Sequence, residues 1–242
     1  MTPPGPLTLE PIGYLQTPWQ EKFGIPRQAG LVPTASGILV PTPPHDHPAA
    51  WTGIESFSHL WLVWQFHAHP PARRRTVRPP RLGGNERLGV FATRSSFRPN
   101  PLGLSLVRLE SLELAADSVR LHLAGVDLLD GTPVLDVKPY LPWADDPGPN
   151  ARGGFAQTRP EPKLAVCWAP LPARRKADLP PATVTLIEQT LALDPRPAWH
   201  EDPKREYGIA VAGWNLRFRV AEGQASILSI EPLNEESGAP AP

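Results

Sequence analysis

Cysteine is nearly absent: Cys167 stands alone in 242 residues. That excludes an internal disulfide framework and a cysteine-based zinc cluster, and it fits a reducing compartment. Long hydrophobic runs are missing too, since the longest apolar stretch, Leu60 to Phe66, is far too short to span a bilayer. The first residues are proline-rich and uncharged with no apolar run behind them, which predicts no signal peptide and a soluble, cytoplasmic protein. No G-x-G-x-x-G follows a predicted strand and no Walker loop occurs, so a Rossmann or P-loop nucleotide site is unsupported. No serine sits in a nucleophile elbow. Acid is lacking from one long window. Between Ala68 and Leu109, Glu86 stands against nine arginines, at 73, 74, 75, 78, 81, 87, 94, 98 and 108. The window therefore carries +8 and, because the formal net charge is zero, the rest of the chain carries −8.

What is abundant is proline, 34 residues of it, which disfavours long helices wherever it is dense. Short strand patterns fill the space between. Leu7 to Leu15, Ser36 to Val40, Ser58 to Phe66, Leu88 to Ala92, Leu104 to Leu109, Val119 to Ala124 and Val134 to Val137 read as strands, and 119–123 alternates with one apolar face. "PPRLGGN", "RPNPLG" and "LLDGTP" between them are turn signals. Many short strands with little helix predict a mainly β protein whose sheet closes into a small barrel. The composition shifts after Trp143. Residues 144–154 read as a linker, Ala182 to Leu193 as a helix opening after Pro180-Pro181, and Tyr207 to Ala212, Leu216 to Val220 and Ser226 to Ile230 as three more strands. The expected division is a barrel over 1–150, a small α+β part over 151–233 and a disordered tail over 234–242.

Four segments place Gly or Pro beside polar residues at strand ends, where loops on a rigid sheet build sites. They are "EKFGIPRQAGL" (21–31), "GIESFSHLWLVWQFH" (53–67), "RPPRLGGNERLGVFATRSSFRPNPLGLS" (78–105) and "DLLDGTPVLDVKPYLPW" (127–143). The paired histidines, His45 with His47 and His67 with His69, read as polar loop residues, so no metal is expected. Cys167 reads as a small core residue. The arginine window points to a local anionic partner.

Together these segments resemble the YaeB/TsaA-like family of tRNA methyltransferases, which act on N6-threonylcarbamoyladenosine beside the anticodon. "DPRPAW" (194–199) resembles the family's C-terminal part, so the likeness runs along nearly the whole chain. Ala29 and Ser96 depart from the family pattern, and 70–75 is irregular. The resemblance implies a small barrel that binds S-adenosylmethionine without a Rossmann sheet, which accounts for the missing glycine fingerprint. It also implies a homodimer with the cofactor near the subunit boundary. The residues it implies for cofactor contact are Pro26, Arg27, Gln28, His67, Ala68, Arg94, Leu104, Asp130, Gly131, Thr132 and Pro133.

The residue chemistry is compatible with those roles. An arginine fork grips a carboxylate, although Arg94 could equally meet a phosphate, and Asp130 could be an ordinary turn cap. Transfer of a methyl group to nitrogen needs positioning more than covalent catalysis. His67 and Asp130 are the candidates for taking the released proton, with solvent as the alternative. Arg73, Arg74, Arg75, Arg78, Arg81, Arg98 and Asn100 form the expected track for tRNA, that is, the anticodon loop of tRNA-Thr. Asn100 has a second reading as a turn former. A non-catalytic RNA-binding module and a small-molecule methyltransferase are the competing classes. The first has no need of "PRQ", "FH" and "DGTP" together, and the second does not explain the arginines.

Overall fold

In the computed structural model, residues 5, 7–69, 74–115, 118–197, 200 and 202–233 are described. Arg73, the 234–242 tail and Ala198-Trp199 of "DPRPAW" lie outside that set.

Six alternating strands close a barrel. They are β1 (Gly13–Gln16), β2 (Ser36–Pro41), β3 (His59–Gln65), β6 (Leu102–Ala115), β7 (Ser118–Ala124) and β8 (Thr132–Pro139). Their order round the wall is β1-β2-β7-β6-β3-β8, every pairing antiparallel. Period-two alternation puts Leu15, Leu39, Leu60, Leu62, Val107, Leu121, Leu123 and Val134 inside, all essentially without solvent exposure. Closure leaves the barrel no free edge. The expected barrel is therefore observed, with two local differences. The first strand begins at Gly13 rather than Leu7. Leu88 to Ala92 is not one strand: β5 (Leu88–Gly89) pairs with β4 (Thr76–Val77), and Val90–Ala92 closes into a single tight turn.

The alternation of direction decides where the loops go. Gln16 and Ser36, Gln65 and Leu102, and Ala124 and Thr132 all fall at the same end of the barrel. The β1–β2, β3–β6 and β7–β8 connections thus rise from one rim. These carry the 21–31 segment, most of the 78–105 segment, the end of the 53–67 segment and the start of the 127–143 segment.

After a short helix α1 (Pro142–Asp145), the C-terminal part builds a four-stranded sheet. Its strands are β9 (Ala165–Trp168), β10 (Glu206–Val211), β11 (Trp214–Ala221) and β12 (Gln224–Pro232), in the order β10-β11-β12-β9, with β9 parallel to β12. Helices α2 (Pro170–Lys176) and α3 (Pro181–Ala192) pack on β12 and β9. The two parts share one buried cluster that runs from Leu15 and Trp19 to Tyr207, Ile209 and Phe218. Phe23 of the β1–β2 connection stacks on Tyr207 and Phe218, with ring centroids 6.4 and 6.5 Å away. The Ala210 amide donates to Glu21 Oε1 at 2.8 Å and the Ala212 amide to the Pro18 carbonyl at 2.7 Å. Gly24 has φ +94°, and a Cβ there would lie 2.0 Å from Ile209 Cδ1, so glycine is required where the loop crosses β10.

Candidate active site

The three rim connections enclose a cleft of about 510 Å³. Its floor is the end of the barrel, where Trp64, Gly103 and Leu104 come from β3 and β6 and Thr132 opens β8. Trp64 lies flat over Gly103; a Cβ on Gly103 would sit 2.2 Å from the indole Cε2. The indole N–H donates to Ser105 Oγ at 3.0 Å, and that hydroxyl donates to Asp127 Oδ1 at 2.6 Å. Ser105 and Thr132 point inward and are buried, so this end of an otherwise apolar barrel is polar.

The walls come from the loops. Ile25 to Gln28 form one side, Phe66 to His69 another, and Thr93, Arg94 and Arg98 a third. Side chains lock these loops to each other. Arg94 donates to Gln28 Oε1, and Lys22 donates to the Ala68 carbonyl. Arg98 donates to the Thr93 carbonyl at 2.8 Å and so braces its own loop. Burial, together with the charge of Lys22 and His67, lowers the pKa of His69 below its usual value.

Of the residues expected to meet a cofactor, Pro26, Arg27, Gln28, His67, Ala68, Arg94, Leu104 and Thr132 are gathered round this one cleft. Asp130, Gly131 and Pro133 are not on its wall. Asp130 Oδ1 accepts the Thr17 amide at 2.8 Å, and the Asp130 and Gly131 amides donate to the carbonyls of Trp19 and Leu15. Their segment ties the β7–β8 connection to the β1–β2 connection, a bracing role.

The sequence reading missed Asp127, three residues upstream in the same "DLLDGTP" run. It is the one acid on the cleft wall among the described residues. Burial raises its carboxyl to about 6, against the opposing pull of the Ser105 hydrogen bond and the Arg94 charge. Nothing in sequence spacing distinguishes it from Asp130. The signal would have been the inward-facing Ser105 on a strand otherwise apolar inside.

Of the arginine window, Arg94 and Arg98 line the cleft, and Arg74, Arg75, Arg78, Arg81 and Arg87 are exposed. Arg74 lies over the Phe97 ring at 4.3 Å, and Arg81 donates to Thr158. Asn100 is exposed, and its carbonyl accepts the Leu102 amide at 2.8 Å, closing the turn that feeds β6. No group of three or more His, Cys, Asp or Glu side chains among the described residues is placed to hold a metal. No helix among them is long and apolar enough to cross a membrane.

Comparison with known proteins agrees with this architecture. Residues 14–146 match the tRNA-methyltransferase O N-terminal domain, and residues 161–233 match the TrmO C-terminal domain. A tRNA (adenine(37)-N6)-methyltransferase of Escherichia coli (strain K12) is 44% identical over 229 residues, covering 92% of this chain and 97% of that protein. A protein of Pseudomonas aeruginosa described as a candidate S-adenosylmethionine-dependent methyltransferase is 50% identical over 216 residues, covering 86% of this chain and 90% of that one. A crystal structure of TrmO from Pseudomonas aeruginosa superposes with a TM-score of 0.75 at 38% identity, covering 94% of this chain and 99% of that one. With both domain models matched in order and relatives this similar along nearly the whole length, the chain belongs to the tRNA-methyltransferase O family.

Proposed function

We propose that this member of the family methylates N6 of N6-threonylcarbamoyladenosine at position 37 of tRNA-Thr. Membership makes the protein an S-adenosylmethionine-dependent tRNA (adenine-N6) methyltransferase. The modified nucleoside, the tRNA and the in-line course of the reaction are inferred from the family resemblance.

The observation that carries the reading is the convergence of "PRQ", "FHAH", Arg94, Leu104 and Thr132 on one cleft. Its donor set fits the cofactor: Arg27 and Arg94 suit a carboxylate, while Trp64, Phe66, Leu102 and Leu104 offer a flat apolar surface for a purine. When bound there, S-adenosylmethionine supplies an electrophilic methyl group on a sulfonium. The chain's part is to orient. The Arg94–Gln28 and Lys22–Ala68 contacts tie the walls to one another at a fixed separation.

Exposed Arg74, Arg75, Arg78 and Arg81 would follow the tRNA backbone towards the cleft, and Asn100 at the rim would face the loop bases. Arg98 is engaged with its own loop, so its service is to hold Arg94 in place. A homodimer also fits. A second hollow, lined by Gln28, His59, Trp61 and Leu104 among others, shares Arg94 with the cleft, so a partner seated there would adjoin the cofactor.

Incubating the protein with S-adenosylmethionine and tRNA-Thr carrying threonylcarbamoyladenosine, then analysing the nucleosides by mass spectrometry, tests the proposal. The methylated nucleoside is expected with wild type and is expected to fall sharply with Arg94→Ala. An unmodified nucleoside with folded, cofactor-binding protein would refute it.

A further inference from the structure

The titratable side chains on the cleft wall are basic with one exception among the described residues, the carboxylate of Asp127. We propose that Asp127, oriented by Ser105, is the group that takes the proton released from N6 during methyl transfer. This rests on the methyltransferase reading above. The new N6–carbon bond forms as the sulfonium carbon–sulfur bond breaks. The electron pair of the broken bond stays on sulfur, which leaves as a neutral thioether, and the N6 proton passes to an Asp127 carboxylate oxygen.

Three observations carry the assignment. Asp127 lies on the wall of the same cleft as Arg94, Gln28 and Leu104, so it is within the reaction volume. Its Oδ1 accepts from Ser105 at 2.6 Å, and Ser105 in turn accepts from the Trp64 indole at 3.0 Å. That chain fixes the carboxylate from behind, on two strands of the barrel, as a positioned base requires. Of the two candidates named from sequence, Asp130 is exposed and spent on the Thr17 amide, and His67 stands on the cleft wall.

The other titratable groups on the wall of the cleft are all basic, and Arg94 is near enough to act on the Asp127 charge. Lys22 and Arg27 come from the β1–β2 connection, and His67, His69, Arg94 and Arg98 come from the β3–β6 connection. His59 on β3 lines the neighbouring hollow beyond Ser105. His69 is held below its usual pKa by burial and by neighbouring positive charge, which makes it a weaker acceptor than a free imidazole. A carboxyl raised to about 6 by burial is ionised at neutral pH yet basic enough to accept a proton.

The test is the pH dependence of kcat/KM with defined tRNA, together with two readouts that need no turnover. These are the affinity for S-adenosylmethionine by calorimetry and the carbon-13 carboxyl titration of Asp127, assigned as the resonance missing from Asp127→Asn. Wild type is expected to lose activity in acid with an apparent pKa near that of the Asp127 resonance, close to 6. Asp127→Asn should lower kcat by roughly 10²-fold or more, abolish the acid limb and leave cofactor affinity within about twofold. Ser105→Ala removes a hydrogen bond that favours the ionised form, so it should move both the limb and the resonance to higher pH, which a merely structural serine would not do. His69→Gln should leave the limb in place.

Retention of the limb in Asp127→Asn, its loss in His69→Gln, or a parallel collapse of cofactor affinity in Asp127→Asn would overturn the assignment. The last result would make Asp127 a cofactor ligand. Wild-type protein that binds the cofactor yet leaves the nucleoside unmethylated would overturn the substrate reading itself, and this assignment with it.

Discussion

Asp127 and its neighbours set the residue-scale energetics. Burial lifts the folded-state pKa of the carboxyl from 3.8 to about 6. The folded state therefore binds this proton more tightly than the unfolded chain. The stabilisation is complete below about pH 4, drains away as pH rises through 6, and leaves an ionised buried acid as a cost at neutral pH. The shift corresponds to about 3 kcal/mol. Asp127→Asn keeps an oxygen for Ser105 and removes that cost. It is expected to raise Tm at pH 7.5 by roughly 6 to 12 °C, with the difference from wild type vanishing near pH 4. Equal melting temperatures at both pH values in differential scanning calorimetry would show that burial is not the dominant influence on this carboxyl. A stabilising substitution that abolishes activity is the signature of a site built against the interests of the fold. Such a residue is hard to find in sequence. Trp64, Ser105 and Asp127 are separated by 41 and 22 positions and meet only because the barrel closes. Arg94 and Gln28, in contrast, were legible because each sits in a long stretch whose resemblance to the family carried it.

Among elements, the β1–β2 connection is the one whose support comes from elsewhere. It supplies Ile25 to Gln28 to the cleft, yet Phe23 stacks on β10 and β11, and Glu21 accepts from β10. The C-terminal sheet thus holds this cleft loop from behind. Phe23→Ala is expected to cost about 3 kcal/mol of stability. It should also weaken S-adenosylmethionine binding roughly tenfold, because the loop must then be ordered by the ligand. Calorimetry at a temperature where the variant is fully folded separates the two effects, and unchanged affinity would mean the loop is held by the barrel alone. Strand positions were legible from alternation, as in β7, where Val119, Leu121 and Leu123 turn inward. Strand β9 and helix α2 were not. The α2 segment "PLPARRK" reads as a helix breaker, but Pro170 and Pro172 fall in the first turn, where missing amide donors have no intrahelical partner to lose. The β9 segment, "AVCW", is four residues long and pairs in parallel with β12, so neither its length nor its neighbours in sequence mark it.

At the scale of the whole molecule, the barrel and the C-terminal sheet share one core. A chain ending at residue 150 would strip Tyr207, Ile209 and Phe218 from beneath Phe23 and Gly24. It is expected to melt well below the full chain and to bind the cofactor more weakly. Equal Tm and affinity would mean that the division at 150 separates two independent units. The arginines from Arg74 to Arg87, which make their window basic, are exposed. Affinity for tRNA should fall linearly with salt on logarithmic axes, and each arginine replaced should reduce that slope by about 0.7 to 0.9 if it meets a phosphate. An unchanged slope in an Arg74, Arg75 and Arg78 triple alanine variant would remove the track. All of these expectations depend on the cleft being where the cofactor sits, and a crystal structure with S-adenosylhomocysteine tests that most directly. The ligand is expected between the Pro26–Gln28 wall and Arg94, with Trp64 and Leu104 beneath it. A ligand bound anywhere else on the protein would contradict the account.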